Sequence, residues 1–284
     1  PNQPSSSSQM AQAGIAASKN WQQHYEDTMQ AGEHYNNPQL VKILTQEAWS
    51  AVQLLKQEFK IPFNQEAALE GAHSERRVWT TGDNTGAIIY QHLLNKCKTI
   101  KNIKWIHNSR VISLIKDEDN VLQGLTYVNQ TTKKINYQAS STIILSTGGV
   151  GGLFKYSTNP LNLTGDGLWL AYNSGAKLEK LNLIQFHPTG LKTAQRPIPL
   201  LSEAMRGEGA RLVNETGKRF LEKTPGQELA PRHLLVKAIL AQSEVFLDLR
   251  HREPTFWQQK FPNICQLLAK HQFDIKTDLI PIIP

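Results

Sequence analysis

The sequence predicts an α/β protein in two parts that meet near residue 181. Three observations predict it. From Asn37-Pro38 onward, apolar residues recur at helical spacing. Between Ile103 and Thr147 the spacing switches to two. That second stretch ends in a fully apolar run feeding into Thr147-Gly148-Gly149-Val150-Gly151-Gly152. Helical and strand periods in one stretch, with glycines where a strand gives way to a helix, mark an α/β layer. Past Leu181 the pattern breaks into charge-rich and glycine-rich loops with shorter elements, an α+β part of different character.

The elements follow in order. Ser5-Ser6-Ser7-Ser8 and the small residues Ala11-Gln12-Ala13-Gly14 read first as a linker. Two helices follow. The better marked one opens on Asn37 as N-cap with Pro38 at the first helical position. Leu40, Leu44, Ala48, Val52, Leu55 and Phe59 form its apolar stripe, and Pro62 ends it. Gln65 to Asp83 is irregular and polar. Thr85–Lys98 predicts a helix with Ile88, Ile89, His92 and Leu93 on one face. Ile103–Ile106, Val111–Ile115, Val121–Val128, Ile135–Tyr137 and Thr142–Leu145 predict short strands, several of them in a meander. Thr164-Gly165-Asp166-Gly167 opens a helix over Leu168–Ser174. In the second part, Asn214-Glu215-Thr216-Gly217 reads as a turn between Arg211–Val213 and Lys218–Leu221. Helices are expected over Pro231–Gln242 and Pro262–His271, with a strand over Val245–Leu249. Leu279 to Pro284 is apolar and reads as a cut end, since finished domains usually close on polar residues.

Composition bounds the function. The chain has 284 residues, 39% hydrophobic and 19% charged, within the soluble globular range. Thirty-one basic against 24 acidic residues give a formal charge of +7. The basic residues are scattered and do not alternate with aromatics, which argues against nucleic acid and for simple solubility. No apolar run approaches the length of a membrane span. Pro1 to Ser8 is polar, unlike a signal peptide. Cys97 and Cys265 are far apart and lack metal spacing, which favours a reducing, cytoplasmic setting without a disulfide or metal site.

Five clusters carry chemistry. Thr147-Gly148-Gly149 and Thr164-Gly165-Asp166-Gly167 let backbone approach a dinucleotide, though two ordinary turns would look the same. Glu70-Gly71-Ala72-His73-Ser74-Glu75-Arg76-Arg77 is suited to a carboxylate and an amine together, its arginine forks matching carboxylates, or it is a solvated loop. His187 is followed by Pro188, which fixes the ring's loop. Glu203 and Arg206 lie three apart and share a helical face, as a proton-passing pair or a surface ion pair. The nearby Gly207 and Gly209 suggest close approach of a ligand. Pro231 at a helix start would aim Arg232 from the first turn into a cleft, or Arg232 simply faces solvent, the usual fate of arginine.

Taken in order, these stretches resemble the flavoprotein family of succinate dehydrogenase, fumarate reductase and L-aspartate oxidase. The likeness runs from Ser5 to Pro284. It is carried most specifically by Gln185-Phe186-His187-Pro188-Thr189, Glu203-Ala204-Met205-Arg206-Gly207-Glu208-Gly209 and Pro231-Arg232. The resemblance implies an incomplete FAD-binding Rossmann-like domain over 1–181 and a substrate-capping domain over 182–284. It implies FAD contacts at Ser7, Ser8, Ala11, Gln12, Ala13, Gly14, Thr147, Gly148, Gly149 and Asp166, which replaces the linker reading of the serines. His187 and Ser202 resemble groups that hold a substrate carboxylate, Arg232 the catalytic arginine, and Glu203 with Arg206 its proton relay. Residues 5–17 contain no histidine, so non-covalent FAD is expected. Glu70-Gly71-Ala72-His73-Ser74 together with Arg77 resembles the aspartate oxidase branch, where Glu70 would face the substrate amine. A carboxylate there discriminates against succinate, which has no amine. The implied activity is oxidation of L-aspartate to iminoaspartate for NAD synthesis, with oxygen or fumarate as acceptor and quinolinate synthase as a partner. A fumarate reductase or succinate dehydrogenase fragment, or an inactive remnant, is the alternative.

The chain also departs from the family. The glycine fingerprint that precedes the flavin segment is absent, as are a second substrate histidine and a second substrate arginine. Ala13 replaces a usual glycine and His233 a usual aspartate. The expectation is a chain truncated at both ends that binds FAD weakly or not at all.

Overall fold

The computed structural model describes residues 6–284. Ser5, the first of the serine run, and the four residues before it lie outside the described residues. The serines that are described form no linker. Ser6 caps a short helix, α1 (Ser7–Met10), its Oγ accepting from Gln9 N–H at 3.3 Å. Helix α2 (Trp21–Ala31) follows a two-residue strand β1 (Ile15–Ala16). In α3 (Pro38–Gln57), Asn37 caps as expected, Oδ1 accepting from Gln39 N–H at 3.0 Å and Leu40 N–H at 3.2 Å. Ala48, Val52, Leu55 and Phe59 face the core as expected, but the stripe is shifted in the opening turns. Val41, Thr45 and Val52 are buried, while Leu40 and Leu44 are 63% and 61% exposed.

Ala17, Val52, Ile61 and Phe63 make a small first core, with Trp49, Trp79 and Ile89 packed on it. Strand β2 (Val78–Trp79) pairs antiparallel with β1. Here Gly14 is needed for space: a Cβ on it would lie 2.1 Å from the Trp79 carbonyl oxygen. Gly14→Ala is expected to cost roughly 1–3 kcal/mol, as overpacking against backbone does; a thermal melt unchanged from the parent would contradict this. Helix α4 (Thr85–Lys98) has the predicted bounds.

The meander forms. Strands β3 (Ser109–Lys116), β4 (Leu122–Asn129) and β5 (Ile135–Ala139) make a three-stranded antiparallel sheet. The expected strands Ile103–Ile106 and Thr142–Leu145 do not form. A lone extended segment has no ladder to satisfy its N–H and C=O groups, and no strand lies beside either one among the described residues. Ile144 is 86% exposed, as expected for that face without its neighbour. Every strand pair described is antiparallel, so the parallel sheet expected of a Rossmann-like domain is not formed among these residues. Helix α5 (Asp166–Asn173) begins two residues earlier than predicted.

The larger core lies in the second part. Strands β6 (Gly190–Leu191), β7 (Arg211–Asn214), β8 (Val245–Asp248) and β9 (Ile280–Ile283) form one antiparallel sheet in the order β6-β9-β8-β7. The apolar Leu279–Pro284 is therefore no frayed end: Ile280 and Ile282 are buried inside an internal strand. Helices α6 (Glu203–Gly207), α7 (Arg232–Leu240), α8 (Pro254–Lys260) and α9 (Pro262–Lys270) surround that sheet. Leu212, Leu235, Leu247, Trp257, Ile264 and Leu268 fill the space between. The predicted turn at Asn214–Gly217 is present, but its return strand is reduced to a single bridge from Arg219 to Val213. No helix among the described residues is long and apolar enough to cross a membrane.

Candidate active site

Residues 69–77 leave the small core as a pinched loop. Ala68 and Val78 close its neck with two backbone hydrogen bonds of 2.7 and 3.1 Å. At its far side Asp27 on α2 accepts from Ser74 N–H and Ser74 Oγ, both at 2.8 Å, and pairs with Arg77 Nη2 at 2.8 Å. The Arg77 side chain is fully buried. Arg76 is exposed and lies 3.9 Å from Glu208. Neither arginine lines the cavity beneath the loop, so these forks hold protein carboxylates, not a substrate.

That cavity, about 220 Å³, is lined by Asp27, Glu70, His73, Gln185, Glu203 and Arg232, among others. It is far larger than the roughly 10–15 Å³ one water needs. Ser202 caps α6, accepting from Ala204 N–H at 3.3 Å, which leaves its own O–H as a donor. The cap starts the single helical turn that carries Glu203 and Arg206. Glu203 is the hub. Its Oε2 accepts from Arg232 Nε at 2.6 Å and lies 3.5 Å from Arg206 Nη2; its Oε1 accepts from Gly71 N–H at 2.8 Å. Burial pushes the Glu203 carboxyl up, but the Arg232 and Arg206 charges and these hydrogen bonds outweigh it and hold the group below its usual range. Arg206 donates to the Glu228 carbonyl, and Arg232 Nη1 to Gln185 Oε1 at 2.7 Å. As the sequence implied, Pro231 caps α7 and puts Arg232 on its first turn.

Glu70 is almost wholly buried in the same cavity. Desolvation, then the negative charge of Glu203, push its carboxyl up to about 7. His187 lines the adjoining cavity and shares Gln185 with this one. Thr189 N–H donates to His187 Nδ1 at 3.2 Å, so Nδ1 is the bare nitrogen and Nε2 carries the proton. Burial, and then Arg232, hold this ring well below its ordinary range, a neutral donor.

Gly207 and Gly209 each have a reason within the chain itself. A Cβ at Gly207 would lie 2.3 Å from the Leu69 carbonyl oxygen, and Gly209 is in the left-handed region at φ +101°. Asp27 was not foreseen in the site; Gln185, Gly71 and His73 lie in stretches the sequence singles out but were given no role of their own. Gln185 lies two residues before His187, an alternation that puts both on one side of an extended chain. Asp27 carries no such local signal.

The FAD binding domain family matches residues 2–284. The chain belongs to that family. Among its relatives, L-aspartate oxidase of Mesorhizobium japonicum is 36% identical over 293 residues, covering 98% of this chain and 56% of its own length. L-aspartate oxidase of Synechocystis sp. is 37% identical over 299 residues, with 98% and 53% covered. The chain thus spans about half the length of the curated relatives it matches. Among solved structures, an E. coli quinol fumarate reductase superposes with a TM-score of 0.89 at 23% identity, over 97% of this chain and 52% of that one. Mycobacterium smegmatis Sdh1 in complex with UQ1 gives 0.75 at 28% identity, over 98% and 52%. The resemblance to the succinate dehydrogenase and fumarate reductase flavoproteins, and within them to L-aspartate oxidases, therefore holds along the whole chain.

Two groups of residues in this FAD binding domain fit a flavin dinucleotide. Ser7 Oγ donates to Asn159 Oδ1 at 2.7 Å, and Asn159 packs on Gly151, which joins the Ser7–Gly14 segment to the glycine loop. Gln12 Nε2 donates to the Leu200 carbonyl at 2.8 Å, but its buried Oε1 has no partner. Ser8 and Ala11 pack against Gly86 at the start of α4, and Ala13 lies in the loop that leads to β1. Gly149 is exposed, and a Cβ there would meet nothing within 4 Å, so nothing within the protein demands that glycine. Gly148 needs it for φ +74°. Thr147 packs tightly on Gly167, beside Asp166, whose carboxylate pairs with Arg110 Nε at 2.8 Å. An orphaned acceptor and an open backbone loop are features a dinucleotide satisfies.

Proposed function

We propose that this chain carries the flavin-facing and substrate-closing portions of an L-aspartate oxidase, with the boundary between them near residue 181. The observation that carries the reading is Glu70 in one cavity with the Arg232–Glu203–Arg206 chain. A buried carboxylate beside an arginine cluster suits a substrate bearing an ammonium and carboxylates together. Arg232, the Nε2–H of His187 and the Ser202 hydroxyl are the donors for the substrate carboxylates. Glu70 faces the ammonium. Arg232 exchanges protons with Glu203, and Arg206 supports that carboxylate from the far side. Ser7, Ser8, Ala11, Gln12, Ala13, Gly14, Thr147, Gly148, Gly149 and Asp166 would hold FAD without a covalent bond. Bound FAD supplies the acceptor for the hydride from C2. L-aspartate loses that hydride and one amine proton to become iminoaspartate, which quinolinate synthase consumes. Oxygen or fumarate is the terminal acceptor.

The test is oxidation of L-aspartate by the FAD-loaded protein, read as peroxide formed or fumarate consumed. Succinate turned over as well as L-aspartate would sink the reading in favour of a fumarate reductase. The amine contact has its own signature. Glu70 is ionised above about 7 and neutral below it, so L-aspartate binding is expected to weaken as pH falls through that value. Glu70→Gln should flatten this dependence and narrow the preference for L-aspartate over succinate. An unchanged preference would remove Glu70 from substrate selection.

A further inference from the structure

The loop that bears Glu70 touches the α6 turn on both sides of that residue. Before it, the Leu69 carbonyl oxygen approaches Gly207 so closely that a Cβ there would sit 2.3 Å away. After it, Gly71 N–H donates to Glu203 Oε1 at 2.8 Å, and a Cβ on Gly71 would sit 2.2 Å from that same oxygen. Glu203 and Gly207 are four apart, on one face of α6. Gly71 is not among the glycines with positive φ, so its backbone does not require glycine. Close approach to Glu203 does. The loop is also fixed independently of α6, by Ala72 N–H to the Leu229 carbonyl at 3.2 Å and by Ser74 to Asp27.

We propose that Gly71 is a positioning residue that couples the amine-facing loop to the relay carboxylate of Glu203. This rests on the reading of the site given above and deepens it. One segment of backbone holds both the carboxylate that selects the substrate amine and the N–H that fixes the proton acceptor. Each oxygen of Glu203 is then assigned: Oε2 to Arg232, Oε1 to Gly71. A shift of the loop as Glu70 meets an ammonium is felt at Glu203 through a single hydrogen bond. The loop thus links substrate choice to proton transfer, with no other chain element between.

The direction of the effect follows from the hydrogen bond. Gly71 N–H favours the ionised form of Glu203. Removing it raises the pH at which Glu203 takes up a proton. In the oxidation direction the relay works with Glu203 ionised, so the acid limb of the rate profile moves to higher pH.

The experiment compares Gly71→Ala with the parent in the FAD-loaded protein. The expected result is a fall in kcat of about tenfold or more, as displacement of a catalytic group by about 1 Å can produce. The acid limb should shift upward with it. L-aspartate and succinate are both assayed. If succinate proves the better substrate, the aspartate reading fails, while the shift of the acid limb still tests Gly71. An acid limb that stays in place overturns the coupling. A second measurement covers a variant that fails to fold or a protein without turnover. The Gly71 amide proton resonance is followed through a pH titration of the parent and of Glu203→Gln. Coupling requires that the amide report the Glu203 titration in the parent and lose that step in Glu203→Gln. A Gly71 amide that does not titrate in the parent, or titrates equally in both, overturns it.

Discussion

Arg232→Lys is expected to lower kcat for L-aspartate by about 10²- to 10⁴-fold, the range that a positioned proton-transfer group contributes. The substitution keeps the charge and loses the geometry. Arg232 makes two directed bonds, Nε to Glu203 at 2.6 Å and Nη1 to Gln185 at 2.7 Å. A lysine ammonium on a flexible stem has no planar fork to satisfy both. The effect should fall on kcat more than on KM, because His187 and Ser202 remain to hold a carboxylate. Far-ultraviolet circular dichroism should stay unchanged, since Arg232 is at the surface end of α7 and a third of its side chain is exposed. Retention of most of the parent kcat in Arg232→Lys would show that only the positive charge matters and would end the relay assignment.

Asp27→Ala is expected to be the most damaging substitution for stability, by roughly 3–5 kcal/mol, the cost of breaking a buried ion pair from one side. It leaves Arg77, whose side chain has no exposure and whose Nε and Nη1 already lack partners, with only the part-exposed Glu75 at 3.4 Å as counter-charge. It also frees Ser74, whose N–H and hydroxyl both end on Asp27. Asp27→Asn removes the charge but keeps two hydrogen-bonding atoms, so it should cost less. Denaturant unfolding gives both values. Equal losses for the two variants would mean that the charge of Asp27, not its hydrogen bonds, holds the loop. A loss below 1 kcal/mol for Asp27→Ala would show the pair to be dispensable.

Local patterns were the legible part of this molecule. Asn37-Pro38, Thr85–Lys98, the meander from Ser109 to Ala139 and Pro231-Arg232 all depend on neighbours within a few residues, and each is found where spacing and capping put it. The Glu203–Arg206 pair was legible for the same reason, because the two residues lie three apart on one helical turn. What failed was long-range. Thr142–Leu145 has the composition of a buried strand, but composition cannot supply the neighbour that makes it one. The strand Ile280–Ile283 was not legible because its partners, Leu191 and Leu247, are distant in sequence. The apolar stripe of α3 holds from Ala48 to Phe59 and is off by one residue only in the opening turns. Leu40 and Val41 are equally apolar, and the sequence does not say which face meets α2. Asp27 and Arg77 lie on separate elements, and a charge on each is compatible with many other partners. Gly207 suggests room for a ligand in the sequence, but its neighbour is another piece of the same backbone, the Leu69 carbonyl.

The place of β9 between β6 and β8 has a consequence for how the second core assembles. Strands β7 and β8, and β8 and β9, pair across connections of similar length, but β6 reaches them only through β9. That pairing closes the longest loop in the sheet, and it places Ile280 and Ile282 in the core together with Leu191. Long-range closures of this kind are slow relative to local ones. The His187–Thr189 corner sits directly before β6. The His187–Thr189 wall of the proposed cleft is therefore expected to take its final shape only when β6 docks on β9, while the Arg232 wall, on a helix between β7 and β8, depends on shorter closures.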